Sequence, residues 1–191
     1  MSLDLLQQWE TCWPACGPGD ADSLKLAYRD RWVRFHSLPA SKRYPDTEDE
    51  YSTLLHRYNT VLDELFADTL VYVVTPDWSG EALPGVRPDD HAHWHPGAEY
   101  WTSICTDADP DYPTFTHLYV SRIGWKRGCI DPLLRAVADD STAGVMVTDF
   151  ALQRIHHPYD GGADVILASS LERDELRSRH SEWLSTHPEG M

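Results

Sequence analysis

Motifs that name a reaction are missing from these 191 residues: there is no Gly-x-Ser-x-Gly, no Walker loop, no Gly-x-Gly-x-x-Gly and no His-Glu-x-x-His. The usual sequence marks of a serine hydrolase, a P-loop NTPase, a dinucleotide enzyme and a zinc peptidase are therefore absent. No apolar run approaches the length of a membrane span. Met1 to Trp9 has neither the basic start nor the apolar stretch of a secretory signal, so a cytoplasmic location is expected. Cysteine is scarce. Cys12 and Cys16 are spaced C-x-x-x-C and Cys105 and Cys129 lie alone, which is neither a zinc ribbon nor a thioredoxin pair, so all four are expected to be free thiols. Positive charge is scarce too: 16 Lys and Arg stand against 31 Asp and Glu, for a formal net charge of −15. Such a surface repels phosphate backbones and anionic membranes, so neither nucleic acid nor membrane is expected as a partner. A basic protein partner or a cationic ligand suits it better.

The elements that are present punctuate the chain clearly. A helix is expected from Ser2 to about Cys12, stopped by Pro14, Gly17, Pro18 and Gly19. Arg31 to Leu38 reads as a strand. Thr47 and Glu50 have the spacing of a capping box, and Tyr51, Leu54, Leu55, Tyr58, Val61, Leu62, Leu65 and Phe66 continue as one apolar helical stripe. Thr69 to Thr75 is continuously apolar, as in a strand covered on both faces. Residues 76–113 are read as a long Trp-, His- and Pro-rich loop or insertion, with a short strand within Glu99 to Ile104. Phe115 to Ile123 alternates as a strand. Asp131 is expected to cap a short helix that begins at Pro132. Val145 to Val147 is a strand, and Ser169 with Glu172 is a second capping box, opening a last helix that carries Leu176, His180, Trp183 and Leu184. This order predicts one α+β or mixed α/β domain over 1–191, its sheet mixed or mostly antiparallel with helices packed on it.

Three constellations could carry chemistry. His91-Ala92-His93-Trp94-His95, if extended, would turn three imidazoles to one side, as a three-histidine zinc site requires. Asp89, Asp90 or Glu99 could orient them. The plainer reading is a solvated loop and no cofactor. The second constellation is the hairpin from Ile155 to Leu167, with Tyr159-Asp160-Gly161-Gly162 at its centre. These residues tolerate the positive φ that tight hairpins use. Here His157, Tyr159, Asp160 and Asp164 form either a polar binding cluster or a structural turn. The third is tryptophan, eight in all: Trp78, Trp94, Trp101 and Trp125 could face a partner or fill the core.

Through Ile155-His156-His157-Pro158-Tyr159-Asp160, Gly161-Gly162, Asp164-Val165-Ile166 and the helix carrying Trp183, the chain resembles a bacterial family of unknown function, DUF3885. The resemblance is close from the hairpin onward and does not reach residues 76–113. It implies a small bacterial intracellular domain, with no established reaction and no catalytic residues. Small acidic α+β domains of this kind resemble immunity or antitoxin-like partners by analogy. Three functions follow as expectations. The first is a non-enzymatic acidic domain that binds a basic protein. The second is a metal-dependent hydrolase using His91, His93 and His95, with Asp160 or Glu99 as acid or base. The third is a small-molecule binder with its site between the long loop and the hairpin.

Overall fold

A computed structural model describes residues 2–109 and 111–185; Met1, Pro110 and residues 186–191 lie outside the described residues. The chain is an α+β domain with one seven-stranded antiparallel sheet. The elements are α1 (Ser2–Cys12), α2 (Ala21–Ala27), β1 (Trp32–His36), α3 (Glu48–Phe66), β2 (Leu70–Ser79), α4 (Asp89–Trp94), β3 (Glu99–Asp107), β4 (Thr114–Gly124), α5 (Asp131–Ala138), β5 (Met146–Asp149), β6 (Ile155–Tyr159), β7 (Gly162–Ile166) and α6 (Ser170–Arg179). The strand order is β1-β7-β6-β5-β2-β4-β3. β2, the apolar run, is interior as its composition requires, paired with β4 and β5.

Alternation along the strands builds two cores. Val33, Phe35, Val71, Val73, Val147, Ala163 and Val165 meet the apolar stripes of α3, α5 and α6 on one face. Trp32, Tyr72, Val74, Leu118, Met146, Ile155 and Ile166 point the other way, against α1, Trp13 and α2. The result is three layers with the sheet in the middle.

Several local expectations need correction. Thr47 caps α3 by accepting from the Glu50 amide at 3.3 Å, but the Glu50 carboxylate reaches past Thr47 to the Asp46 amide at 2.6 Å and to Lys42. Ser169 caps α6 in the same way, and Glu172 accepts from the Ala168 amide at 3.2 Å. Asp131 is the first residue of α5 and not its cap, because its carboxylate accepts from the Asn59 amide nitrogen at 2.8 Å. The last helix stops at Arg179, and Trp183 lies beyond it, stacked on the His180 ring at 4.1 Å.

Residues 76–113 are far from a bare loop. Pro76 to Ser79 finish β2, and α4 and β3 follow. The His-x-His-x-His run is helical rather than extended, because Pro88 precedes it and Asp89 and Asp90 occupy the first turn, where the helix dipole favours carboxylates. Trp101 belongs to the second core, 4 % exposed and 6.1 Å from the Trp9 ring, and so is unavailable to a partner. Trp125 is buried as well and donates to Asp63 at 2.8 Å.

Candidate binding site

The hairpin is the best-supported site, and its geometry starts from a shortage of space. Tyr159 pairs with Gly162, leaving Asp160 and Gly161 as the two-residue turn. Neither turn residue has positive φ. Left-handed backbone is therefore not what the turn demands, and at Gly162 the demand is for room. A Cβ on Gly162 would lie 2.1 Å from the Phe35 carbonyl oxygen, because β1 runs directly beside it with His36 opposite Gly162. From the helical face, the Tyr58 hydroxyl sits 2.7 Å from the Tyr159 carbonyl and 2.9 Å from that of Gly162, holding both ends of the turn. Burial pushes the Tyr58 hydroxyl pKa well up, so it remains a donor.

Alternation then gathers side chains on the opposite face. Arg34 and His36 of β1, His157 and Tyr159 of β6 and Asp164 of β7 share that face, and Asp160 stands at the turn. With Asp22 and Lys25 of α2 and Ser41 and Arg43 they line a pocket of about 440 Å³, within the range of small-molecule sites. All four hairpin residues singled out from sequence, His157, Tyr159, Asp160 and Asp164, are here. The long stretch 76–113 contributes nothing to the lining, so the pocket lies between the hairpin, β1 and α2 instead of between the hairpin and that stretch.

Its charges are paired in a fixed pattern. Arg34 grips Asp164 with two hydrogen bonds, Nε to Oδ1 at 2.7 Å and Nη2 to Oδ2 at 2.8 Å, and the Trp32 indole donates to the same carboxylate at 2.9 Å. The Arg34 guanidinium also lies 4.9 Å from the Tyr159 ring centroid. Arg43 Nε donates to Asp160 at 2.6 Å, and the Tyr44 hydroxyl donates to the same oxygen at 2.9 Å. Lys25 is paired with Asp22.

Spare donor capacity remains on the two guanidiniums. A guanidinium has five N–H groups; Arg34 spends two on Asp164 and Arg43 one on Asp160. His36 Nε2 and His157 Nδ1 are buried without partners among the described residues. Burial lowers the pKa of both rings: Asp164 opposes this at His157, and at His36 a hydrogen bond to the Gly161 backbone opposes it while Arg34 and Arg57 add to it. Burial also pushes the Tyr159 hydroxyl up to about 12, so it too carries its proton.

Removing Asp164 should expose what this pairing does. Asp164→Ala would leave a guanidinium and an indole N–H without their acceptor in a mostly buried place, an expected loss of about 3 kcal/mol. Urea unfolding of the variant measures it, and Asp164→Asn, which keeps one acceptor, should lose less.

The other sequence candidates are dispersed. His95 is buried and bound at both nitrogens, to Thr75 at 2.9 Å and Ser121 at 2.6 Å. His91 pairs with Asp77 and tilts against Trp94, which packs on the first core. His93 is exposed. Among the described residues no group of three His, Cys, Asp or Glu side chains is placed to hold a metal ion. Glu99 is exposed at the start of β3. The four cysteines are free thiols, as expected from their spacing.

Sequence reading missed Arg34, His36 and Arg43. Arg34 was visible as a charge inside an otherwise apolar strand, but its partner is 130 positions away. Arg43 has no such mark.

No helix among the described residues is long and apolar enough to cross a membrane. The family described as a domain of unknown function, DUF3885, matches residues 21–188. The match takes in β1, α2 and the whole 76–113 stretch, so the likeness runs far beyond the hairpin. No curated protein and no solved structure matches the chain.

Proposed function

We propose, from the premise that the chain belongs to the DUF3885 family, that it is a non-enzymatic binding domain whose hairpin pocket takes a small ligand through an oxyanion, a phosphate or carboxylate group. The surplus of donors carries this reading. Arg34 and Arg43 both line the pocket and keep guanidinium N–H groups beyond those given to Asp164 and Asp160. An oxyanion offers the densest set of acceptors to such a wall. The net charge of −15 is not concentrated here, since Arg34, Arg43 and Lys25 balance the three carboxylates of the lining, Asp22, Asp160 and Asp164, while the acidic exterior turns away large polyanions. A reducing cytoplasmic setting fits the four free thiols.

Inorganic phosphate is the probe that tests this. Arg43 is 65 % exposed at its side chain, so Arg43→Ala should leave the fold intact. Calorimetric titration should show phosphate binding to the natural protein and at least about a tenfold loss in the variant, the worth of one charge-assisted contact. Equal affinity in both would contradict the reading.

A further inference from the structure

At the opposite end of the sheet lies a second cavity, larger than the first at about 560 Å³. It sits on the α1 side, where the turn after α1 passes the ends of β2, β3 and β4. Pro18, Pro76, Trp78 and Ile104 give it apolar walls, Asp20 stands on its rim, and Cys105 opens onto it. Neither Lys, Arg nor His lines it. At Gly17 the backbone is bare: a Cβ there would meet nothing within 4 Å.

The surroundings are apolar and acidic together. Trp78 is 49 % exposed and Tyr112 82 % exposed, unusual for side chains of this size. Asp107 ends β3, and Asp109 and Asp111 follow in the exposed connection to β4. β3 is an outer strand of the sheet, paired on one side to β4. The hairpin pocket mixes both signs of charge. This groove has one carboxylate in its lining, Asp20, no cation, and an aromatic face at Trp78.

We infer that this groove is a docking site for a basic segment of a protein partner, one that places an apolar side chain between Trp78 and Ile104 and Lys or Arg beside Asp20 and Asp107. Charge complementarity selects the occupant. A cation meets no like charge in the lining, gains from carboxylates of a strongly acidic chain, and can lie on the Trp78 ring. An acidic or purely apolar segment gains from only part of this. The site is independent of the oxyanion pocket: the two share no lining residue.

Cys105 supplies the test, because it is exposed and lines the groove, while Cys129 is exposed and does not. The natural protein is alkylated with iodoacetamide, and the rates at the two cysteines are read separately by mass spectrometry of their tryptic peptides. The probe is a synthetic peptide of alternating leucine and arginine, with two comparisons: glutamate in place of arginine, and oligolysine without leucine. The leucine-arginine peptide is expected to slow Cys105 severalfold and leave Cys129 unchanged, and both comparison peptides should protect poorly. Gly17→Phe, at a position where a Cβ meets nothing within 4 Å, is expected to fill part of the groove and abolish the protection. The inference is overturned if Cys105 and Cys129 respond alike, if oligolysine protects equally well, or if Gly17→Phe retains the effect.

Discussion

Gly162→Ala is expected to destabilise the fold by about 3 kcal/mol or more, at the upper end of overpacking effects. The new methyl group would sit 2.1 Å from the Phe35 carbonyl oxygen and 3.0 Å from the Tyr159 hydroxyl. The first of these atoms is backbone in a paired strand, so it cannot rotate away. Relief requires β1 and β7 to separate at the His36–Gly162 pair, which also disturbs Arg34 and Asp164 two residues along. Gly161→Ala is the comparison. Its nearest neighbours are side-chain atoms, Tyr159 Cε2 at 3.2 Å and Arg43 Cγ at 3.5 Å, which can shift. Urea midpoints should therefore fall strongly for position 162 and slightly for 161. Equal losses would mean that the turn geometry, and not the approach of β1, requires the glycine pair.

The second large effect is a loss of stability in mild acid. His156 is 0 % exposed, packed edge-on against the Tyr58 ring, with no partner at either nitrogen among the described residues. Burial lowers its pKa to about 3. His95 is also lowered to about 3, by burial and then by Arg87. The hydrogen bonds around His95 suit the neutral ring. Arg87 can only donate, and does so to the Thr75 oxygen at 2.6 Å; the Thr75 hydroxyl then donates to Nδ1, leaving Nε2–H for Ser121. Both rings are neutral in the fold, whereas an unfolded histidine takes a proton near pH 6.5. The stability these rings bring is thus complete above about pH 6.5 and is lost as pH falls from there toward 3. Each ring costs about 1.4 kcal/mol per pH unit, so the two together should cost about 5 kcal/mol between pH 7.5 and 4.5. His36 and His157 are lowered too and act in the same direction. Urea midpoints across this range should fall steeply, and His156→Leu should remove a good part of the slope. A midpoint that stays level from pH 7.5 to 4.5 would contradict the assignment of these rings as buried and neutral.

These two effects mark where sequence reading works and where it stops. The strand-turn-strand at Ile155–Ile166 was legible because alternation and turn residues are local. The reason for Gly162 was not, since it depends on a carbonyl of β1, far away in sequence. His157, Tyr159, Asp160 and Asp164 could be picked out as a polar group, but Arg34 and Arg43, which decide what the pocket can hold, reach it only through the pairing of β1 with β7 and through the Arg43–Asp160 contact. The histidine run shows the opposite failure. Its spacing suggested convergence in an extended chain; two aspartates after Pro88 start a helix there instead, and the rings part company. Sequence alone leaves Trp101 open between a partner face and the core; pairing of β3 with β4 sets it against Trp9, in the core. Local pattern gives the elements, and long-range pairing gives the site.

The most direct test of oxyanion binding follows the ring nitrogens of His36 and His157 by nitrogen-15 NMR while inorganic phosphate is added at pH 6 and at pH 8. Both rings line the pocket, and burial lowers the pKa of each. A bound anion favours their protonated form. Both rings are expected to shift toward the imidazolium position in a saturable way, with His95 and His156 unmoved. Phosphate that leaves His36 and His157 unchanged at both pH values, or moves all four rings equally, would contradict it.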